Sequence, residues 1–163
     1  MFGNWRGENL KRTKLRRVGK SRKGSLKSLH KKAWALQSEY IRRSEKGICY
    51  TCGNTQEWKF QQAGHYIHKD CLDFDSINIH CQCVHCNKWL HGNSGVYAER
   101  LIAEYGEGAV AELRIRSYQS HKFNIFELEN LITLYQQKLQ SLQSGKEKNR
   151  EFTLITELIG ELQ

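Results

Sequence analysis

Apolar residues recur near helical spacing in two regions of the chain, on either side of a segment rich in cysteine and histidine. In the first region, residues 28–46, this spacing predicts an amphipathic helix. The apolar positions there are Leu29, Ala33, Leu36, Tyr40 and Ile41. The chain contains no proline, so no proline interrupts a long helix.

The second region, residues 93–163, predicts a series of helices. The run VYAERLIAEYG ends at the glycine stop Gly106, and GAVAELRIRSY follows it. A third helix is expected to begin at Asn124, where Glu127 completes a capping box, and to continue through FELENLITLYQQKLQSL. After a polar loop, FTLITELIGEL forms a short amphipathic segment whose apolar face suits either the core or a partner.

Between these regions the residue pattern changes to that of β-strands. The run EWKFQQAGHYIH is strand-like, and SINIHCQC alternates apolar and polar residues. The chain therefore divides into a basic arm (1–27), an N-terminal helix (28–46), a cysteine–histidine core (47–92) and a helical region (93–163). The expected fold class is α+β and mainly helical.

The net charge of +9 is concentrated at one end of the chain. Residues 1–32 contain twelve Lys or Arg and one acid, Glu8, so the remainder sums to −2. A basic arm on a nearly neutral body suits a polyanion such as DNA, although such arms are also found as solvated, disordered tails. On DNA, the arm would contact phosphates without reading bases, through Lys11, Arg12, Lys14, Arg16, Arg17, Lys20, Arg22 and Lys23.

A membrane or secreted location is not expected. No run approaches the roughly 18 apolar residues of a membrane span, and the N-terminus lacks the apolar core of a secretory signal. The arm also has few apolar residues to insert into a bilayer. We therefore expect a cytoplasmic protein, in which six cysteines serve as metal ligands or free thiols before disulfides.

Two C-x-x-C pairs carry the strongest spacing signal. CYTC supplies Cys49 and Cys52, and CVHC supplies Cys83 and Cys86. Four thiolates complete a tetrahedral Zn²⁺ site with no open position, so the ion would be structural. The alternative is a pair of redox dithiols. The interval between the pairs exceeds that of a simple zinc ribbon, so a sizeable insert separates them.

Two cysteines, Cys71 and Cys81, are left over and are expected to be buried or partly buried thiols. A second metal site using them with His68 or His80 is an alternative, although neither cysteine shows ligand spacing. His80 otherwise suits a structural histidine with its hydrogen bonds satisfied.

Three residues that zinc does not use form a second pattern around the knuckles. His65 lies in the strand-like run, Asn78 precedes the second pair and Asn87 directly follows Cys86. This arrangement resembles the HNH, or ββα-metal (His-Me finger), nuclease motif. The resemblance implies that His65 is the general base, that Asn78 fixes the loop and that Asn87 binds a catalytic Mg²⁺ or Mn²⁺. If the HNH resemblance is set aside, Asn78 is an ordinary turn residue and Asn87 is an amide on a helix surface.

The residue types suit phosphodiester hydrolysis. An imidazole with a pKa of about 6.5 is neutral near pH 7, and an amide oxygen is a ligand that Mg²⁺ accepts. If VHCNKWLH is a helix, His91 shares a face with Asn87 and is a candidate second ligand, or else a surface histidine. Many HNH proteins carry Asp or His just before the base, whereas this chain has Gly64. The residues that could compensate are Asp70, Asp73, Asp75, His68 and His91.

A wider set of segments is similar to the phage NinG (Rap) recombination-protein family. They are CYTCG, AGHYIH, NIHCQCVHCN, HGNSGVYAERLIAEYGEGAVAEL and LYQQKLQSL, between about residues 28 and 142. The family implies a structure-selective endonuclease that cuts branched DNA, such as Holliday junctions and D-loops, in the bacterial host cytoplasm.

Paired cuts at a junction favour a homodimer, for which the helical region is the natural interface. The alternatives are a non-catalytic zinc-dependent DNA-binding recombination mediator and a sequence-specific HNH nicking endonuclease. Four tryptophans, Trp5, Trp34, Trp58 and Trp89, could stack on unpaired bases, although tryptophan in a small domain is more often core.

Overall fold

The computed structural model describes residues 25–144. Its main elements are helix α1 (Leu26–Ser44), strands β1 (Gln62–His65) and β2 (Ile79–Gln82), a π-helical turn (His85–Trp89), and helices α2 (Ser94–Tyr105), α3 (Gly108–Ser117) and α4 (Ile125–Ser144). Two short 3₁₀ turns, Trp58–Phe60 and Asp70–Leu72, complete the set. The eight candidate DNA-binding residues of the basic arm, from Lys11 to Lys23, and the FTLITELIGEL segment lie outside the described residues.

Helix α1 begins two residues earlier than the apolar pattern predicts, because Ser25 caps it. The Ser25 hydroxyl accepts a hydrogen bond from the Ser28 N–H at 3.2 Å. One side of α1 places Ala33 against Leu128 and Ile132 of α4. Farther along, Ile41 packs on Ile79 and Cys81 of the sheet. The same helix therefore joins α4 to the two strands.

The sheet has two antiparallel strands, with Gln62 opposite Gln82 and His65 opposite Ile79. Both strands are shorter than the sequence predicts, and the start of EWKFQQAGHYIH forms a 3₁₀ turn instead. The alternation expected in SINIHCQC is also wrong, since all four residues of β2 are buried. One face of β2 packs on α1 and the other carries His80, which stacks on Tyr50, so neither face is open to solvent.

The predicted helix boundaries of the C-terminal region are confirmed to within a few residues. Helix α2 ends at Gly106, whose φ of +89° favours glycine. The capping box is present, since the Asn124 N–H donates to Glu127 at 2.8 Å and the Glu127 N–H donates to Asn124 at 3.0 Å. None of the helices between residues 25 and 144 is long and apolar enough to cross a bilayer.

Tyr97 of α2 connects the helical region to the strands. It is fully buried in a cluster with Leu72, Leu101, Val110 and Leu113. Its hydroxyl lies 3.1 Å from the Gly64 carbonyl oxygen and 3.3 Å from that of Asn78, so one proton is shared between two strand-end acceptors. This contact holds the ends of β1 and β2 beside α2.

We predict that Tyr97→Phe lowers the free energy of unfolding by about 0.5–1.5 kcal/mol, because the buried hydrogen bond of the hydroxyl is lost while the ring packing stays. Urea denaturation followed by circular dichroism measures this change. Tyr118→Phe is the matched control, since Tyr118 is 89% exposed. Equal stability of the two variants would contradict a structural role for the Tyr97 hydroxyl.

Candidate metal centre and histidine cleft

The two C-x-x-C pairs meet at one point in the structure. The Sγ atoms of Cys49, Cys52, Cys83 and Cys86 all lie within 4.8 Å of one another. Each pair sits in a tight turn: the Gly53 N–H donates to the Cys49 carbonyl at 2.8 Å, and the Cys86 N–H donates to the Cys83 sulfur at 3.4 Å. The first turn follows α1 and the second follows β2, so this point closes the insert.

The four sulfurs fit zinc. Zn–S bonds of about 2.3 Å place tetrahedral sulfurs about 3.8 Å apart, and the Cys52 and Cys83 sulfurs are 3.8 Å apart. Burial raises the pKa of Cys86 to about 12, so a cation is needed to hold all four groups as thiolates. With four protein ligands no position is left for substrate, and the expected role is structural.

The two remaining cysteines lie away from this centre, as the sequence predicts. Cys81 is fully buried against α1, and burial raises the pKa of its thiol to about 12. The Cys71 sulfur lies 3.6 Å from the Arg116 carbonyl oxygen. Between residues 25 and 144, only the four cysteines of the two C-x-x-C pairs form a group of three or more His, Cys, Asp or Glu side chains close enough to share an ion.

His65 ends β1 and lies in a cleft of about 820 Å³ between α1 and the segment before α4. Its ring stacks on Trp34, with centroids 4.8 Å apart and planes 19° apart. Its Nε2 is buried without a hydrogen bond and lies 3.7 Å from Asp73 Oδ1. Asp73 Oδ2 is held 3.1 Å from His30 Nε2. One carboxylate therefore faces two imidazoles.

The electrostatics of the cleft keep His65 neutral near pH 7. Burial, with repulsion from His68 as a second cause, lowers the pKa of His65 to about 4. Burial also raises the pKa of Asp73. Three lysines, Lys27, Lys31 and Lys122, line the same cleft with two aspartates, Asp70 and Asp73, so the lining carries a small excess of positive charge when its histidines are neutral.

Asn78 is fully buried and ties down the loop between the strands. Its side-chain oxygen accepts from the Ile67 N–H at 2.8 Å, and its amide nitrogen donates to the Ile67 and Leu72 carbonyls at 2.9 and 3.3 Å. Asp75 supports the turn by accepting from the Asn78 N–H at 3.2 Å. These are the contacts of a residue that fixes a loop.

Asn87 lies in the π-helical turn and reaches the residue before His65. Its amide nitrogen donates to Gln62 Oε1 at 2.7 Å. Its oxygen would lie 2.9 Å from a Cβ added to Gly64, and Gln82 Oε1 would lie only 2.0 Å from that Cβ. Gly64 is therefore required by close packing, because the Gln82 and Asn87 amides fill the space that an Asp or His side chain would need.

The expected helix VHCNKWLH is wrong in form and in length. The turn is π-helical, covers His85–Trp89 and ends before His91. His91 is exposed and adopts a left-handed φ of +49°. The four-residue spacing that paired His91 with Asn87 on one helix face therefore does not apply.

His80 occupies a structural position on the other face of β2. Its Nδ1 lies 2.8 Å from Glu45 Oε1, and its ring stacks on Tyr50 with centroids 3.9 Å apart. The second Glu45 oxygen accepts from the Cys81 N–H at 2.8 Å. Glu45 thus joins the end of α1 to β2 through two contacts.

Comparison with known proteins agrees with the sequence pattern. The chain matches the family model described as Bacteriophage Lambda NinG protein over residues 5–147. The chain belongs to the NinG family. It is 33% identical over 122 residues to Protein ninG of Escherichia phage lambda, and the match covers 71% of the chain and 58% of that relative. Protein ninG of Escherichia phage 933W gives the same identity, with 71% of the chain and 59% of the relative covered.

This NinG-family chain thus spans less than two thirds of the length of the curated relatives that it matches. No solved structure matches it. The resemblance drawn from AGHY and NIHCQCVHCN is confirmed at the level of the family.

Two residues of the candidate site, His30 and Gln82, were not assigned a role from the sequence, and Trp34 was considered only for stacking on unpaired bases. His30 and Trp34 lie four residues apart on α1, a spacing that places both on one helix face, but nothing local shows that this face meets His65. Gln82 lies between two cysteines and has no motif of its own. Only the folded contacts show that its amide blocks Gly64.

We predict one zinc ion per chain, with loss of the ion and of cooperative unfolding in Cys86→Ser, because three thiolates leave the knuckles open. Elemental analysis and thermal unfolding measure both effects. Cys71→Ser is the control and keeps the ion, since Cys71 lies outside the four-sulfur group. Stoichiometric zinc in Cys86→Ser would exclude this ligand set.

We also predict that the protein loses stability as the pH falls from about 6.5 to about 4. His65 has a pKa of about 4 when folded and about 6.5 when unfolded. In this window the unfolded state therefore binds the extra proton and is favoured. His65→Gln removes this contribution, so urea midpoints measured across the window should fall less steeply than in the wild type. Parallel slopes for both proteins would show that His65 titrates normally.

Proposed function

We propose that this protein is an HNH-type endonuclease that hydrolyses phosphodiester bonds of branched DNA, such as Holliday junctions and D-loops, in phage recombination. The observation that carries the proposal is a neutral, half-enclosed His65 at the end of β1, in a cleft lined by three lysines. The order of two antiparallel strands and a helical turn, with Asn78 fixing the loop, supports an HNH arrangement.

In this proposal His65 accepts the proton of the attacking water. Its Nε2 is enclosed beside Asp73, so Nδ1 is the nitrogen that takes the proton. Protonation creates an imidazolium 3.7 Å from the Asp73 carboxylate, and opposite charges at this distance attract more strongly in a partly buried cleft than in bulk water. Catalytic contacts that are long in the free enzyme often shorten with substrate bound. Asp73 therefore compensates for the low basicity of a histidine with a pKa of about 4.

In the proposal, lysines around His65 bind the DNA. Lys27, Lys31 and Lys122 contact the phosphates beside the scissile bond, and the basic arm, which runs directly into α1, follows the DNA backbone. Because a junction is resolved by cutting two strands, we propose that the protein acts as a homodimer with one site per subunit.

The residues around Gly64 fit a weakly held Mg²⁺ or Mn²⁺. Asn87 Oδ1 and Gln82 Oε1 both approach Gly64, and Gln82 Oε1 accepts no hydrogen bond. When bound, such an ion neutralises charge on the phosphate and on the leaving oxygen. No carboxylate replaces Gly64 there, so the DNA phosphate supplies the negative charge that holds the ion.

A second candidate function is a zinc-dependent DNA-binding recombination mediator without nuclease activity. The observation that favours it is the contact between Gly64 and Gln82. The Gln82 amide fills the place where many HNH proteins carry a metal ligand just before the base. Metal-dependent cleavage that disappears in Asn87→Ala would exclude this candidate.

We predict that the zinc-loaded protein cuts a synthetic four-way junction in Mg²⁺ and that it cuts matched linear duplex far more slowly. His65→Ala should lower the cleavage rate by about 10²- to 10⁴-fold, the usual contribution of a general base, while junction binding persists. His85→Ala is the control, since His85 is exposed and outside the cleft. Wild-type protein that cuts neither substrate overturns the nuclease proposal, and equal cutting of both overturns only the branch preference.

Asp73→Asn keeps the shape of the carboxylate and removes its charge, so we predict slower cleavage with unchanged junction binding. The acid limb of the pH–rate profile should lie at a lower pH in Asp73→Asn than in the wild type. The reason is that the carboxylate stabilises the imidazolium and so raises the pKa of His65. Cleavage rates across the pH range measure both effects. Profiles that overlay after scaling would assign Asp73 a structural role.

A further inference from the structure

Two exposed aromatic residues have no role in the proposed chemistry. Trp89 is 74% exposed and Phe60 is 65% exposed. Each directly follows a lysine, Lys88 and Lys59 respectively. We call these four residues the aromatic–lysine surface.

The aromatic–lysine surface adjoins the candidate site. Phe60 lies two residues before Gln62, and Trp89 lies two residues after Asn87. Gln62 and Asn87 are joined by a 2.7 Å hydrogen bond, so the two aromatics flank that contact. Both aromatics are therefore close in sequence to a contact beside the candidate site.

Both aromatics sit on fixed backbone. Trp89 ends the π-helical turn, which is anchored by Cys86 of the zinc group and closed by the Leu90 N–H donating to the His85 carbonyl at 3.0 Å. Phe60 ends a 3₁₀ turn whose next residue, Gln61, is buried and donates to the Gly47 carbonyl at 2.7 Å. Both exposed rings are therefore presented from backbone that is held in place by hydrogen bonds.

The other tryptophans of the described chain are already engaged. Trp34 stacks on His65. Trp58 lies under the guanidinium of Arg43, 4.3 Å from its ring centroid, with Arg42 at 5.3 Å. Trp89 is thus the one tryptophan between residues 25 and 144 that presents a largely exposed ring.

The charges around Trp89 favour a polyanion. Residues 83–93 contain no Asp or Glu, and within the described chain Lys88 forms no ion pair. Lys59, by contrast, is paired with Glu57 at 2.9 Å. Aromatic rings beside cations are the arrangement with which proteins bind unpaired nucleotides, because a base stacks on the ring while the cation contacts the phosphate.

A second copy of the chain suits this surface less well. Two aromatic side chains offer roughly 150–250 Å² each, whereas a stable dimer interface needs about 800 Å² from each partner. The interleaved lysines would also repel their counterparts across a two-fold axis.

We propose that Trp89, supported by Phe60, stacks on a base exposed at the branch point of the DNA and that Lys88 contacts the adjoining phosphate. This inference rests on the proposed action on branched DNA, and it makes Trp89 the residue that distinguishes a branch from continuous duplex.

The test measures binding without cleavage. In a His65→Ala background and without added Mg²⁺, anisotropy of labelled DNA compares a four-way junction with linear duplex of the same length at one salt concentration. Trp89→Ala should weaken junction binding by about tenfold and duplex binding by less than about twofold, whereas Trp89→Phe should retain most of the affinity. Tyr118→Ala is the control, because Tyr118 is 89% exposed on a different helix end.

A 2-aminopurine placed at the branch gives a second readout. Stacking on Trp89 should quench the 2-aminopurine fluorescence with the His65→Ala protein but not with the His65→Ala/Trp89→Ala protein. The zinc content of the two proteins should be equal. Equal loss of binding to both DNAs, no loss on either, or a change of oligomeric state in Trp89→Ala would each overturn the inference. Because no step needs cleavage, wild-type protein that binds junctions without cutting them refutes the nuclease proposal and leaves this one standing.

Discussion

Convergence of four sulfurs at one point is the constraint on which the rest of the site depends. Cys52 and Cys83 are 31 residues apart in sequence, and their sulfurs are 3.8 Å apart in space. Closing a loop of this length costs considerable chain entropy, and a zinc ion bound by the four thiolates would offset it. The sheet has only two four-residue strands, too few to be stable alone. The metal centre, α1 and α2 together therefore hold His65 and Asn87 on one frame.

Local patterns in the sequence predict what local interactions determine. The helix that contains Ala33 and Ile41 follows from apolar spacing, the start of α4 follows from the Asn124–Glu127 pair, and the zinc group follows from the spacing within each knuckle. Strand lengths and the π-helical turn could not be predicted in this way. They depend on α1 burying the sheet and on Cys86 being drawn into the metal centre, and both are contacts between distant segments.

Sequence patterns are equally limited in predicting which side chains surround His65 in the cleft. The sequence marks His65 as a candidate base, but two of the polar groups assembled around it, Asp73 and His30, lie 8 and 35 positions away. Burial depresses the pKa of His65, and only the carboxylate shared with His30 can restore some basicity. The candidate site is therefore a set of three side chains from α1, β1 and the loop, assembled by packing and not by a contiguous motif.

The contact between Gly64 and Gln82 has a consequence for the way such proteins can change. A carboxylate introduced at position 64 would collide with the Gln82 amide, whose oxygen lies 2.0 Å from the nearest new atom. Shortening Gln82 alone would leave a buried gap and would remove its 2.8 Å hydrogen bond to the Gly92 carbonyl. Each single replacement is unfavourable, whereas the pair together is compatible. Positions 64 and 82 are therefore expected to vary jointly among related chains, with a small residue at one whenever the other is large.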